Sequence, residues 1–205
     1  TKSIYIFFNK KLSNIFLKVK IKHLRKNSEE LKIVIGSANT GYVGWLSSNE
    51  YSIDLLDINS FEKYFKYDEV DNFLAEHVFE HLTYDEGIIG AKNCYKFLKK
   101  NGRFRVAVPD GYFPNQDYID YVKPGGNGPG CDDHKLLYNY KLLSDVFTAA
   151  NFKVEVLEYH DENNQFHKVD WDPNDGFVMR SYHHDKRNDG DNLKYSSIII
   201  DAIKA

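Results

Sequence analysis

Short apolar runs that stop at glycine, proline or polar residues alternate along this chain with segments of helical periodicity. The run LKIVIG (31–36) is β-branched and ends at a glycine, which is typical of a buried parallel strand leading into a loop. The other runs predicted as strands are Trp45-Leu46, 53–56, 70–75, 103–108, 152–159 and 196–203. Only eight residues, SANTGYVG, separate the first run from Trp45, so the usual crossover helix hardly fits there.

Two segments between the strands have clear helix signals. Thr83-Tyr-Asp-Glu86 forms a capping box, and the apolar positions that follow it recur at helical spacing until Gly102. A second helix is predicted within YNYKLLSDVFTAAN (138–151). The alternation of strands and helices predicts a Rossmann-like α/β fold, a three-layer sandwich with a mostly parallel sheet, helices on both faces and a shortened first crossover. Its last strand, around Ser197–Ala202, should run antiparallel to the others.

The ends of the chain and its loops predict the domain organisation. All charged residues before Ser28 are basic, and Leu12, Ile15, Phe16 and Val19 lie at helical spacing, which predicts a basic amphipathic helix. Such a helix could bind an anionic surface, but packing on the domain is the more common outcome. We therefore expect a packed N-terminal helix within 1–30 and one domain over 31–205. That domain carries a lid at 109–135 and a turn-rich hairpin excursion at 160–195.

Composition limits the classes of partner. The 205 residues are 42% hydrophobic, which suits a single core. With 27 Lys and Arg against 30 Asp and Glu, the net charge of −3 gives no field that would select nucleic acid or an anionic membrane, so partners have to be inferred from local features. The two cysteines, Cys94 and Cys131, form no C-x-x-C pair, which fits a reducing, cytoplasmic location. No apolar run approaches the length of a membrane span.

The stretch EHVFEHL (76–82) contains H-x-x-E-H, the spacing with which inverzincins bind zinc. Those enzymes need the motif well inside a long helix, whereas here a predicted strand ends immediately before it. In open α/β sheets, ligands bind beyond the carboxyl ends of the strands. We therefore expect Glu76 and His77 to line a binding crevice, and we expect no metal.

The order of these segments resembles the class I S-adenosylmethionine-dependent methyltransferases. The resemblance rests on LKIVIGSANT, DNFLAEHVFEHLT, KFLKKNGR and FRVAVPDG in that order, and it covers about 31–205. It is most specific to a compact branch of the family with the signature D-x-I-x-x-x-H-V-x-E-H-L. It implies S-adenosylmethionine as the cofactor and methyl transfer as the activity. The cofactor-binding residues that it implies are Gly36, Ser37, Ala38, Asn39, Gly41, Asn49, Glu50, Asp57, Glu76 and His77.

The chain departs from the family pattern at two places. Ala38 stands at the second glycine of G-x-G-x-G, and the ribose-binding position falls on Asn49 with Glu50 beside it. A second glycine-rich stretch, GNGPG (126–130), does not directly follow a predicted strand, and it lacks the Lys of a phosphate loop. We therefore interpret it as part of the lid.

Methyl transfer needs alignment of the acceptor with the methyl group, and it needs a base only for hydroxyl-like acceptors. Candidate bases at the crevice mouth are His77, Asp110, Asp133 and His134, and the leading hypothesis is His134 oriented by Asp133 or Asp110. Each of them could instead be structural. The acceptor is expected to be small, and the aromatic segment 160–195 would suit a sugar-like ring. The alternatives are a methyltransferase fold that binds a ligand without turnover and, less favoured, a zinc hydrolase.

Overall fold

The computed structural model describes residues 2–37, 41–190 and 192–205, with side chains from residue 14 onward. In this part of the chain the helices are α1 (Lys2–Asn27), α2 (Ile58–Glu62), α3 (Tyr84–Phe97), α4 (Gln116–Val122) and α5 (Tyr140–Thr148). The strands are β1 (Lys32–Ile35), β2 (Leu46–Ser47), β3 (Val70–Glu76), β4 (Leu98–Pro109), β5 (Lys153–His160), β6 (Phe166–Lys168) and β7 (Ser197–Ile203). Short 3-10 turns lie at Phe79–His81, Cys131–Asp133 and Pro173–Asp175.

The strands form one seven-stranded mixed sheet in the order β2-β1-β3-β4-β7-β5-β6. Strands β2, β1, β3 and β4 are parallel to one another, and β7 runs antiparallel to both β4 and β5. The predicted Rossmann-like sheet and its antiparallel last strand are therefore confirmed. Because β1, β2, β3 and β4 point the same way, the loops that follow them meet at one edge of the sheet.

The predicted strand at 53–56 is wrong. The amide of Asp54 donates to the Ser60 hydroxyl, and the amide of Leu56 donates to the Asp54 carboxylate. These side chains take the backbone groups that a strand would offer to a neighbour, so the segment turns into α2 instead. The predicted end of the helix at Gly102 is also wrong, because α3 ends at Phe97 and β4 begins at the next residue.

The two faces of the sheet are covered differently. The larger apolar cluster contains side chains of α1, α3 and α5 together with one face of the strands. On the other face, Val34, Leu74 and Ile199 pack against Val178 and Trp171 of the excursion. No described residue of that second cluster comes from a helix. The third layer is therefore built by irregular chain, and the prediction of helices on both faces is wrong in this respect.

Helix α1 packs on the domain through Leu17 and Ile21, which are 3% and 1% exposed. The predicted apolar stripe is wrong, since Ile15, Phe16 and Val19 are more than half exposed, at 53%, 63% and 62%. Apolar residues occur on several sides of this helix, so their spacing alone does not select the buried side. None of the helices in the described ranges has the length and apolar character required to span a membrane.

A buried ion pair fixes the excursion to the sheet. Arg105 and Asp201 are both 1% exposed, and the guanidinium of Arg105 binds both carboxylate oxygens of Asp201 at 2.8 Å. The same guanidinium donates to the carbonyls of Asp172 and Gly176, each at 2.8 Å, and lies 4.6 Å from the ring centroid of Trp171. One buried cation therefore holds three positions of the irregular layer.

The turn after β1 fits tightly against the loop after β3. Gly36 has a φ of +62°, a left-handed conformation that strains other residues. A Cβ atom at Gly36 would lie 2.7 Å from Cγ2 of Val78, closer than real Cβ contacts. The glycine is thus required by the packing of two loops at the functional edge of the sheet.

We expect Asp201→Ala to destabilise the fold by about 3–5 kcal/mol, because it leaves the buried Arg105 guanidinium without a counter-charge. Urea denaturation measures this change. The control is Glu162→Gln, which breaks the exposed pair with Lys141 and should change the free energy of unfolding by less than about 1 kcal/mol. Equal effects of the two variants would contradict a structural role for the buried pair.

Gly36→Ala should lower the free energy of unfolding by about 2–5 kcal/mol, since backbone strain and the contact with Val78 add together. The matched control is Gly125→Ala, because Gly125 has a similar φ of +67° but no heavy atom within 4 Å of an added Cβ. That variant should lose only the backbone part, about 1–2 kcal/mol. The same loss in both variants, measured by urea denaturation, would remove the steric contact from the explanation.

Candidate functional site

A cavity of about 370 Å³ lies at the carboxyl ends of β1, β2 and β3. Its polar wall contains Glu50, Asp54 and His77, and Gly36 forms part of its floor. The remaining wall is largely apolar and consists of Ile35, Ile53, Leu55, Leu56, Val78 and Leu82, with His81 and Asp133 at one side. A flat apolar ring with polar substituents is the kind of ligand that such a wall can bind.

A second cavity of about 160 Å³ continues from the first on the other side of Gly36. Both cavities are lined by Ile35, Gly36 and His77, and the second also by Ser37 and Arg180. Because they share these residues, the two spaces adjoin at the end of β1, and together they are called the bent cleft below.

His77 lies at the centre of the site. It has a φ of +56°, which is uncommon for a residue with a side chain and often marks functional positions. Its amide donates to the carbonyl of Ala107 at 2.9 Å, which holds the loop against β4. Its imidazole lines both parts of the cleft and also a third cavity described below.

The predicted ribose-binding residues fall at the expected end of β2. Glu50 is exposed and lines the cleft. The side-chain oxygen of Asn49 accepts from the amide of Tyr51 and the hydroxyl of Ser52, so it stabilises the turn. Asp57 is the N-cap of α2 and accepts from the amide of Asn59. The cleft is lined instead by Asp54, three residues earlier.

Glu76 at the end of β3 also connects the cleft to the excursion. Its carboxylate accepts from the amides of Met179 and Arg180 at 3.2 and 2.8 Å, and from the hydroxyl of Tyr42 at 3.4 Å. Burial and the charge of Glu76 raise the pKa of Tyr42 to about 12. Tyr42 therefore stays protonated and donates to Glu76 at physiological pH.

The turn that should bind the cofactor is described only in part. Ser37 is buried, and its amide donates to the carbonyl of Ser48 at 2.8 Å, which joins β1 to the loop after β2. Gly41 is exposed at the far end of the turn. The predicted contacts of Ala38 and Asn39 lie outside the described residues.

A third cavity, of about 260 Å³, lies on the other side of His77 beneath the lid. It is lined by Glu80, His81, Tyr121, Val122, Pro129, Cys131, His134, Arg180, Arg187 and Tyr195. The predicted lid thus folds back over the same edge of the sheet, and His134 and His77 line the same cavity.

The predicted orienting partners of His134 are wrong. The imidazole of His134 donates through Nδ1 to the carbonyl of Val122 at 2.8 Å, whereas Asp133 binds Nδ1 of His81 at 2.7 Å. Asp110 is fully buried, and its carboxylate lies 2.7 Å from Nδ1 of His160. These pairs join residues up to 52 positions apart, so adjacency in sequence could not identify them.

Asp110 belongs to a structural cluster below the lid. Its Oδ2 accepts from the amide and imidazole of His160 and from the hydroxyl of Ser196. The hydroxyl of Tyr118 accepts from the amide of Asp110 and donates to the carbonyl of Ser196. This network anchors α4 of the lid to β5 and β7, away from the cleft.

Glu80 carries an unusual buried charge. It is 1% exposed, and neither of its carboxylate oxygens completes a hydrogen bond, although Oε1 lies 3.0 Å from Nδ1 of His77. Burial, and then the charge of Glu80, raise the pKa of the neighbouring Tyr138. Buried carboxylates without partners are rare because desolvation is costly.

Sequence reasoning missed several lining residues, namely Asp54, Tyr121, Arg180, Arg187 and Tyr195. Asp54 follows β2 closely and could have been found by counting from the strand end. The other four come from α4 and the excursion, and no local pattern places them at the sheet edge.

Comparison of the chain with protein-family models found no match, and comparison with curated protein sequences also found none. Similar solved structures do exist. One belongs to the complex between the Haloferax volcanii Trm112 methyltransferase activator and a proposed methyltransferase. It is 11% identical, the match covers 85% of this chain and 82% of that chain, and the TM-score is 0.50.

An O-methyltransferase family protein from Burkholderia thailandensis is also 11% identical, with coverage of 90% of this chain and 47% of that chain and a TM-score of 0.50. An S-adenosylmethionine-dependent methyltransferase from Archaeoglobus fulgidus is 16% identical, with coverage of 92% and 94% and a TM-score of 0.49. At such identities a similarity shows the fold alone. The chain therefore has the Rossmann-like fold found in class I S-adenosylmethionine-dependent methyltransferases.

Proposed function

We propose that this protein is an S-adenosylmethionine-dependent methyltransferase that acts on a small-molecule acceptor. The observation that carries the proposal is the position of His77. This residue lies between the bent cleft at the ends of β1, β2 and β3 and the lid cavity of about 260 Å³. A transferase needs two adjoining binding spaces, one for the donor and one for the acceptor.

The residues of the cleft fit the proposed cofactor. Glu50 and Asp54 offer carboxylates for the ribose hydroxyls, and the apolar side chains Ile53, Leu55 and Leu82 suit the faces of an adenine ring. The methionine part would lie along the turn after β1, where Gly36 lines both parts of the cleft. When bound, S-adenosylmethionine supplies a methyl group on a positively charged sulfur.

The catalytic work of the chain is mostly alignment and exclusion of water. We assign proton removal from a hydroxyl acceptor to His77 rather than to His134, because His77 lies between the two binding spaces. The carboxylate of Glu80, 3.0 Å from Nδ1, stabilises the imidazolium that forms when Nε2 accepts a proton. The hydroxyl of Ser197 lies 3.4 Å from that Nε2 and helps to set the ring orientation.

The dimensions of the lid cavity favour a small, polar acceptor. Its walls offer the phenol ring of Tyr121, the guanidinium groups of Arg180 and Arg187, and the imidazole of His134. The phenol ring of Tyr121 is suited to stacking against the flat face of a sugar-like acceptor. Of the aromatic residues of the excursion, Tyr195 also lines this cavity, whereas Trp171 stacks on Arg105 and Tyr182 on Phe166.

One observation favours a second function, which is binding of the cofactor or another ligand without turnover. Ala38 replaces a family glycine in the turn, and the ribose position is divided between Asn49, which stabilises its own turn, and the exposed Glu50. This alternative retains the cleft and its ligand but assigns no reaction to the lid cavity.

Thermal-shift titration with S-adenosylmethionine and S-adenosylhomocysteine tests the cofactor site. A ligand at a hundred times its dissociation constant should stabilise the fold by about 2.7 kcal/mol. Glu50→Gln should weaken binding about 10- to 100-fold, because it removes a charged hydrogen-bond acceptor for the ribose. The control Asp170→Asn removes an equal charge from an exposed position outside the three cavities and should have no effect. Unchanged melting temperatures with both ligands would contradict the proposal.

Turnover is tested with tritiated methyl donor and pooled monosaccharides and sugar phosphates as acceptors. His77→Asn should lower kcat about 10²- to 10⁴-fold and leave the cofactor dissociation constant nearly unchanged. Asparagine tolerates the left-handed backbone at this position, so the loop should keep its shape. Full turnover of the variant would remove His77 from proton transfer. Cofactor binding with no methylated acceptor would favour the second function.

A further inference from the structure

Three potential metal ligands converge in the lid cavity. Glu80, His81 and His134 each place one donor atom within 4.8 Å of the donor atoms of the other two. All three side chains line the same cavity of about 260 Å³. Two imidazoles and one carboxylate form a ligand set that suits divalent transition metals such as zinc better than magnesium or calcium.

The two imidazoles are held in the orientation that a metal ligand requires. Nδ1 of His81 donates to the carboxylate of Asp133 at 2.7 Å, and Nδ1 of His134 donates to the carbonyl of Val122 at 2.8 Å. In a neutral imidazole with the proton on Nδ1, Nε2 carries the lone pair. Metal-binding histidines usually donate their other nitrogen in this way to a carboxylate or a carbonyl.

Glu80 provides an independent indication of a cation. Its carboxylate is 1% exposed, and neither oxygen completes a hydrogen bond. Oε1 lies near His77, which leaves Oε2 without a near counter-charge. A cation in the cavity would add to the one contact with His77 and would compensate for the desolvation of this group.

The backbone brings the ligands together from two distant segments. The amides of Lys135 and Leu136 both donate to the carbonyl of Glu80, at 2.8 and 3.2 Å. These bonds fix the end of the lid, and with it His134, against the 3-10 turn that carries Glu80 and His81. The rings of His81 and His134 meet edge to face, with centroids 4.6 Å apart.

Other charged groups of the cavity do not exclude a cation. Arg187 is paired with Asp185 at 2.5 Å, and Arg180 lies 3.4 Å from Glu76. Cys131 is not one of the three grouped residues, and its thiol donates to the carbonyl of Tyr121.

We propose that Glu80, His81 and His134 form a binding site for a divalent transition metal such as zinc in the lid cavity. This site differs from the H-x-x-E-H pairing of His77 with His81, and it revises the expectation that the protein binds no metal. In a tetrahedral zinc site, ligands at about 2.0–2.2 Å from the metal lie roughly 3.3–3.6 Å apart, so the three donor atoms, now within 4.8 Å of one another, would move closer by about 1 Å through side-chain rotation. A coordination position toward the cavity would remain open for a water or hydroxyl oxygen, whose pKa a bound metal lowers.

Isothermal titration of the metal-free, untagged protein with Zn²⁺ alone tests the site without reference to the cofactor. We expect one zinc per chain and no competition from a large excess of Mg²⁺. His134→Ala and the isosteric Glu80→Gln should each weaken zinc binding by at least about 100-fold. Asp133→Asn should weaken it about 10-fold, since it removes the partner that orients His81. The control His183→Ala, at an exposed histidine outside the cavity, should bind zinc like the wild type.

Circular dichroism verifies that each variant is folded, and visible absorption of the Co²⁺-loaded wild type provides a second measure of an ordered site. His77→Asn separates the proposal from the H-x-x-E-H alternative and should retain the zinc. Zinc that is lost in His77→Asn but kept in His134→Ala would overturn the proposal, as would the absence of zinc binding or equal binding of Mg²⁺. Failure of cofactor binding in the thermal-shift titration would leave these results unaffected.

Discussion

The close contact between Gly36 and Val78 is the constraint on which the functional edge of this protein depends. Two neighbouring parallel strands end there, and both loops turn through left-handed residues, Gly36 with a φ of +62° and His77 with a φ of +56°. Because the glycine has no Cβ, the loop after β3 can pack directly against the turn after β1. This packing places His77 between the cleft and the lid cavity, with Glu80 beside it.

Buried charges organise the regions around that edge in two different ways. Arg105 is fully paired, since Asp201 and the carbonyls of the excursion satisfy its guanidinium. Pairing of this kind fixes the irregular layer to the face of the sheet whose described apolar cluster contains no helix residue. Glu80 has no such set of partners. We interpret Arg105 as a charge with a structural role and Glu80 as a charge that binds a ligand. The reason is that a buried carboxylate with few partners lowers the stability of the fold.

The sheet could be predicted from the sequence because its signal is local. Apolar runs such as 31–36 and 103–108 are short and stop at glycine or proline, which is enough to predict strands at these places. The capping box at Thr83 and Glu86 is also local, and the structure contains both of its bonds. For the same reason, the placement of His77 at the cleft followed from its position directly after a predicted strand, whereas Glu50 was assigned through the family resemblance.

The side-chain pairings, the buried side of α1 and the irregular layer could not be predicted, because the residues that contact one another lie far apart in the chain. Asp110 binds His160 across 50 positions, and no pattern around either residue distinguishes that pairing from one with His134. The buried side of α1 depends on which of several apolar residues meets the domain, and Leu17 and Ile21 do so rather than Phe16. The irregular layer at 169–181 has no periodicity that could indicate what it covers.

A crystal structure of the protein with S-adenosylhomocysteine would test the central claim most directly. The account predicts ligand density along the turn at Gly36, with the ribose at Glu50, the adenine against Leu55 and Leu82, and the sulfur facing His77 and the lid cavity. Density at another place on the molecule, or none at saturating ligand, would contradict the assignment of this edge as the cofactor site.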